Sequence, residues 1–195
     1  MDEIAPGLSR WTAWHDHWEE EVGSLALETD VGLILIDPLD PPPALRRPDH
    51  VVLTVFWHGR STSELRSKRV WAPTRSAQPL RNRGIEVTDA FKAGDELPGG
   101  LEAFQTARVN EVVYWLPGQR SLAVGDVLLG AGAKPRATRD ALRFCPERWL
   151  GKGTHDQLRE MLQPLLALPV QRVLVSHGEP VLRGGKNALA RVLGS

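Results

Sequence analysis

Val112-Val113-Tyr114-Trp115-Leu116-Pro117-Gly118-Gln119-Arg120-Ser121-Leu122-Ala123-Val124-Gly125-Asp126 reads as strand, turn and strand. The first run is apolar and rich in β-formers, and Pro117-Gly118 stops it. The second run follows at hairpin distance and ends on a carboxylate, Asp126. A polar residue at the end of a buried strand is held rigidly, which suits function. Three other apolar runs end in a similar way. Asp37 follows Leu33-Ile34-Leu35-Ile36, His58 lies just beyond residues 51–56, and His177 follows Val173-Leu174-Val175-Ser176.

Outward from this hairpin, the chain reads as strands first and helices later. Residues 22–30 alternate in part, Asp30-Val31-Gly32 marks a turn, and 33–36 form a buried strand. Pro38 and Pro41-Pro42-Pro43 prevent its continuation. Residues 50–56 read as a second buried strand, 62–69 as a short helix capped by Ser61 or Thr62, and 70–72 as a strand stopped by Pro73. Further strands are predicted around 85–88 and 101–107. Thr154 and Gln157 have capping-box spacing. Leu158, Met161, Leu162, Leu165 and Leu166 then fall on one helix face, with Pro164 set to kink or shorten it. Residues 170–175 read as a strand and 186–193 as a closing helix.

With 195 residues, the chain is expected to fold as one domain spanning 1–195. Such a chain buries roughly 70% of its unfolded surface and needs no staples. A single cysteine, Cys145, makes no internal disulfide. No apolar run nears the ~20 residues of a membrane helix. The acidic Met1-Asp2-Glu3 start resembles no secretory leader. Together these features predict a soluble cytoplasmic protein. Lys+Arg and Asp+Glu balance at 24 each, which argues against general nucleic-acid or membrane-surface binding. The balance is uneven along the chain. Residues 1–40 carry ten acids and one base, Arg10, whereas 41–83 carry nine bases and two acids. Either the two segments neutralise each other in the fold, or Arg60, Arg66, Lys68, Arg69, Arg75, Arg81 and Arg83 form a basic groove for an anionic partner.

Four segments in this order resemble the metallo-β-lactamase-fold superfamily along nearly the whole chain. Residues 31–38 resemble its early "GLVLIDTG" strand, and Val51-Val52-Leu53-Thr54 resembles the strand leading into its metal motif. Residues 112–126 resemble its "VVYLPGRRLLFVGD" hairpin, and 175–181 its "PGHGEPV" loop. The resemblance implies an α+β fold, a four-layer αββα sandwich with metals held at one edge between the sheets. It also makes Asp126 the metal-bridging aspartate and His177 the last histidine ligand.

The metal motif itself departs from the pattern. The family places H-x-H-x-D-H directly after the "LT" pair, and the corresponding residues here are Val55, Trp57, Gly59 and Arg60. The histidine of the "GHTPGSVVY" loop falls on Ala107. Two retained ligands are too few for catalytic zinc, which takes three protein ligands and a water. The leading expectation is therefore a homologue that has lost the dinuclear site and holds no metal. It would be non-catalytic or bind a small molecule in the strand-end cleft near Asp37, His58 and Arg60. Arg60 is either simply another surface base or pairs with Asp126 and replaces the metal by a fixed cation. The alternative is a hydrolase with a rearranged mononuclear site of His58, Asp126 and His177, holding one zinc or iron ion. His58 is one residue out of phase with Trp57, so it points away if the strand persists and turns inward only from a loop.

Other features carry less chemistry. Trp11, Trp14 and Trp18 suit a helix face, whereas the family resemblance puts a strand at 8–15; both readings favour core packing. His15-Asp16-His17 with Glu19-Glu20-Glu21 reads as a solvated acidic stretch. Lys134 and Lys152 lie near glycines without P-loop spacing, and no G-x-S-x-G accompanies Ser176-His177.

Overall fold

Side-chain alternation sorts the chain into layers. In a computed structural model, which describes residues 1–194, Ile34 and Ile36 face one way and Leu35 the other. Val112, Tyr114 and Leu116 likewise oppose Val113 and Trp115. Strands buried on both faces lie between other layers.

The strands, in chain order, are β1 (Asp2–Ala5), β2 (Leu8–His15), β3 (Glu20–Thr29), β4 (Gly32–Ile36), β5 (His50–Val52) and β6 (Arg69–Pro73). Helix α1 (Thr74–Arg81) precedes β7 (Asp89–Phe91), β8 (Glu102–Gln105), β9 (Val112–Leu116), β10 (Ser121–Val124), β11 (Leu128–Gly130) and β12 (Leu142–Phe144). Helix α2 (His155–Leu162), β13 (Arg172–Val175) and α3 (Gly185–Leu193) close the chain. Strands β1 to β7 form one sheet in sequence order, antiparallel as far as β4 and parallel beyond it. The second sheet has the order β13-β10-β9-β8, and β11 pairs with β12.

Between the sheets, Leu25, Leu27, Ile34, Ile36 and Val52 meet Ala103, Val112, Tyr114, Leu116, Ala123 and Leu174. Outside the second sheet, Leu158 and Leu162 of α2 and Ala188 and Leu189 of α3 cover Val113, Trp115, Leu122 and Val173. Outside the first, Ala77 and Leu80 of α1 cover Val51, Leu53, Val70 and Ala72. The predicted helix–sheet–sheet–helix order is therefore the observed one. Among the described residues no helix is long and apolar enough to cross a membrane.

Several predicted elements shift. The strand expected over 50–56 ends at Val52, because Thr54 leaves the ladder to bond Asp37. The helix expected over 62–69 lies earlier, as 3-10 turns over Phe56–Glu64 kinked at Arg60. Helix α1 has no counterpart in the sequence reading, where Pro73 and Pro79 obscured it. The strand expected over 85–88 forms at 89–91. The capping box at Thr154 forms, and beyond Leu162 the Pro164 segment tightens to 3-10 geometry. Residues 8–15 are a strand, so the tryptophans line no helix; Trp11 is buried while Trp14 is 56% exposed.

Candidate functional site

Four strand ends deliver polar side chains to one edge of the sandwich. Asp37 follows β4, Asp126 follows β10, and His177 follows β13. The start of β3 lies against the end of β13, where Gly23 N–H donates to the Ser176 carbonyl at 2.8 Å. That contact brings Glu20 to His177. His58 turns inward because β5 has already ended and a 3-10 turn carries it.

The result is a buried chain of alternating acids and imidazoles. Asp37 Oδ2 lies 2.7 Å from His58 Nδ1, and His58 Nε2 lies 3.0 Å from Asp126 Oδ1. The same Asp126 oxygen is 3.3 Å from His177 Nε2, and His177 Nδ1 is 2.5 Å from Glu20 Oε1. Outer contacts fix both ends. Thr54 donates its N–H and hydroxyl to Asp37, and the Lys134 N–H donates to Glu20 Oε2 at 3.0 Å. His58 and His177 are each 1% exposed.

The second oxygen of Asp126 is occupied too. The Trp57 indole N–H donates to Oδ2 at 2.6 Å, and an Arg108 guanidinium nitrogen lies 3.5 Å away. Arg108 also donates to Glu111 at 2.9 Å and to the Trp149 carbonyl at 2.5 Å, and it stacks 4.7 Å above the Trp57 ring. Glu111 is fully buried, and its other oxygen accepts the N–H groups of Asp126 and Val127 at 2.6 and 3.0 Å. Gly125 permits this approach, since a Cβ there would sit 2.7 Å from Glu111 Oε1 and Thr54 Oγ1.

Electrostatics follow from the geometry. Burial and Arg60 both oppose charge on His58, but Asp37 and Asp126 outweigh them and raise its pKa. Burial opposes charge on His177 as well, yet its bonds to Asp126 and Glu20 lift it to about 9. With both ring nitrogens facing carboxylates, each ring is best satisfied as imidazolium. Burial pushes the Asp126 carboxyl up, and the two imidazoles more than reverse this, holding it well below the usual range. Burial, with the Asp126 charge second, raises Glu111 to about 7 against the pull of Arg108.

The sequence reading singled out Asp37, His58, Asp126 and His177, and the fold brings all four together. Arg60 is a correction. Its guanidinium reaches the Asp37 main-chain carbonyl at 3.4 Å and forms no ion pair with Asp126. The backbone at Arg60 kinks (φ 27°, ψ −112°) and carries the side chain to that side. Arg108 is the arginine within ion-pair distance of Asp126. Glu20, expected in a solvated stretch, is a partner of His177. The other bases of 60–83 disperse: Lys68 pairs with Asp49, Arg69 with Asp89, and Arg83 stacks on Phe56.

Beside this cluster opens a cleft of about 1250 Å³, lined among others by Phe56, Trp57, Arg108, Trp149 and Met161. No protein-family model and no curated protein sequence matches the chain. Solved structures do. A metallo-beta-lactamase from Pontibacter korlensis superimposes with a TM-score of 0.68 at 15% identity, over 100% of this chain and 98% of that one. One from Erythrobacter litoralis, with beta mercaptoethanol in its active site, gives 0.69 at 15% identity, over 99% and 93%. A beta-lactamase domain protein from Burkholderia ambifaria gives 0.67 at 15%, over 99% and 75%.

The chain has the metallo-β-lactamase fold.

Within that fold, the donors that remain do not suit a pair of metal ions. Where the resemblance places one motif histidine stands Trp57, and Arg108 follows Ala107, the position of another. An indole N–H and a guanidinium donate protons and cannot ligate. For one ion, His58, Asp126 and His177 offer one ligand atom each, all within 4.8 Å of one another. Asp37 and Glu20 on the Nδ1 atoms match the carboxylates that orient metal-bound histidines. A single ion would therefore have three ligands, in competition with the protons of two imidazoles.

Proposed function

We propose that this metallo-β-lactamase-fold chain is a ligand-binding homologue working without the dinuclear metal centre. It takes a small molecule in the cleft beside Trp57 and Arg108. One observation carries this reading: both oxygens of Asp126, at the family's metal-bridging position, are occupied by His58, His177, Trp57 and Arg108. Two imidazoliums and a guanidinium there supply the positive charge that a buried carboxylate needs. On this reading the site activates no water through a metal. Metal analysis of protein purified without chelator tests the reading. The expected content is far below one ion per chain. Near-stoichiometric zinc, iron or manganese, lost in His177→Ala, overturns it.

A second reading draws on the clustering of His58, Asp126 and His177. A single zinc or iron ion held by these three would supply Lewis-acid activation of water for a hydrolase. Asp37 and Glu20 would then orient the imidazoles and take up no proton. The same metal analysis separates the two readings.

A further inference from the structure

The cleft beside the Asp126 cluster has apolar walls and an excess of positive charge. Phe56, Trp57, Val109, Trp149 and Met161 contribute apolar surface around about 1250 Å³. Cavities of roughly 300–1,000 Å³ with mainly apolar walls and a few polar groups suit small organic molecules. Val109 is 62% exposed, so the apolar surface continues out to the rim.

Charge narrows the choice of molecule. Arg75, Arg108 and Lys152 line the cleft against a single carboxylate, Glu160. Arg108 is committed to Glu111, Asp126 and the Trp149 carbonyl. Arg75 and Lys152 have no hydrogen-bond or ion-pair partner among the described residues. Lys68, Arg69, Lys134 and Arg159 each pair with a carboxylate, whereas Arg47, Arg66 and Lys92 also lack one among the described residues, so what sets Arg75 and Lys152 apart is that both border one cavity. The two uncommitted cations come from separate elements, α1 and the loop before α2, yet border one cavity. Gly153 presses the Lys152 loop onto the cleft wall, because a Cβ there would lie 2.5 Å from the Ala107 carbonyl.

We propose that the cleft binds an organic anion with an apolar body, an aromatic or acyl carboxylate. Its head group lies between Arg75 and Lys152, away from Glu160, and its body lies against Trp57 and Trp149. The proposal rests on the ligand-binding reading above and adds the chemical class of the ligand.

The test titrates the full chain with anilinonaphthalene sulfonate, an aromatic anion, and with phenylnaphthylamine, its uncharged counterpart. Octanoate serves as a competitor. Saturable binding of the anion is expected, displaced by octanoate. The double variant Arg75→Ala/Lys152→Ala should weaken it about tenfold, equal to ~1.4 kcal/mol, and leave the uncharged probe unchanged. Circular dichroism confirms that the variant is folded; both positions are exposed, so folding is expected to survive. The proposal is overturned if the anion does not saturate, or if the variant binds both probes as the parent does. Equal weakening of both probes also overturns it. Metal content of the same preparation keeps the two readings apart. Stoichiometric metal with charge-dependent anion binding overturns only the metal-free reading. Absent metal with no anion binding overturns only the ligand class.

Discussion

Arg108 and Asp126 each connect four groups of the site. Arg108 bonds Glu111, lies at ion-pair distance from Asp126, caps the Trp149 carbonyl and stacks on Trp57. Removing one partner of a buried pair leaves an uncompensated charge, which costs about 3–5 kcal/mol. Arg108→Ala is therefore expected to lower unfolding free energy by about that amount in urea titrations. Arg108→Lys should rescue little, since one ammonium cannot replace a planar fork that reaches three acceptors. A loss under 1 kcal/mol would show that Glu111 is neutral and needs no counter-charge. The residue types carried part of this. Asp126 and His177 were legible as polar ends of apolar strands, and His58 as a candidate ligand. Arg108 and Glu111 were not, because nothing local distinguishes them from ordinary loop charges. Their closeness to the family's loop-histidine position was the available signal. Glu20 was hidden in an acidic run, and only the pairing of β3 with the end of β13 sets it apart from Glu19 and Glu21.

Among the elements, those with strong local signals formed as read, and those defined by partners moved. The β9–β10 hairpin forms as expected, and its register sets Leu116 opposite Ser121. Helix α2 begins at the predicted box, where the Thr154 hydroxyl accepts from the Gln157 N–H at 3.2 Å and the Gln157 side chain accepts from the Thr154 N–H at 3.0 Å. Thr154→Ala should cost about 1 kcal/mol, seen as a lower urea midpoint with an unchanged slope. No change would mean that packing of Leu158 and Leu162 alone sets the helix start. The strand β5 is shorter than its apolar run because Asp37 competes for the backbone of Thr54. Apolarity reports burial, and both a strand and a buried 3-10 turn satisfy it. That early ending is also what frees His58 to face inward.

For the whole molecule, the neutral charge sum resolves into a spatial exchange. The acidic first segment supplies Glu20 and Asp37, the basic second segment supplies His58, and the remainder supplies Arg108, Asp126 and His177. These groups neutralise one another in the interior. Stability should therefore depend on alkaline pH. The folded pKa of His177, about 9, lies above its unfolded value near 6.5. Its contribution is full below the unfolded value and is lost as pH rises through about 9. The shift corresponds to about 3 kcal/mol. Glu111, raised to about 7, acts in the same direction. Unfolding of chelator-treated protein should require less urea at pH 9.5 than at pH 6.5, and His177→Gln should flatten the difference. A parent whose midpoint rises over that range would contradict the imidazolium assignment. The sequence by itself determined several strands, their proline stops and the start of α2, because these signals act between near neighbours along the chain; the four-layer order came from the resemblance and not from periodicity. It also showed that Trp57 and Ala107 stand where the resemblance expects histidines, because residue identity alone decides which side chains can ligate. Only the tertiary structure decided which groups gather around Asp126, His58 among them. The side-chain partners of the Asp126 carboxylate lie 51 to 69 positions away, apart from Arg108. Charges that distant meet only where strand ends from two sheets converge, and their burial there makes the pairing strong.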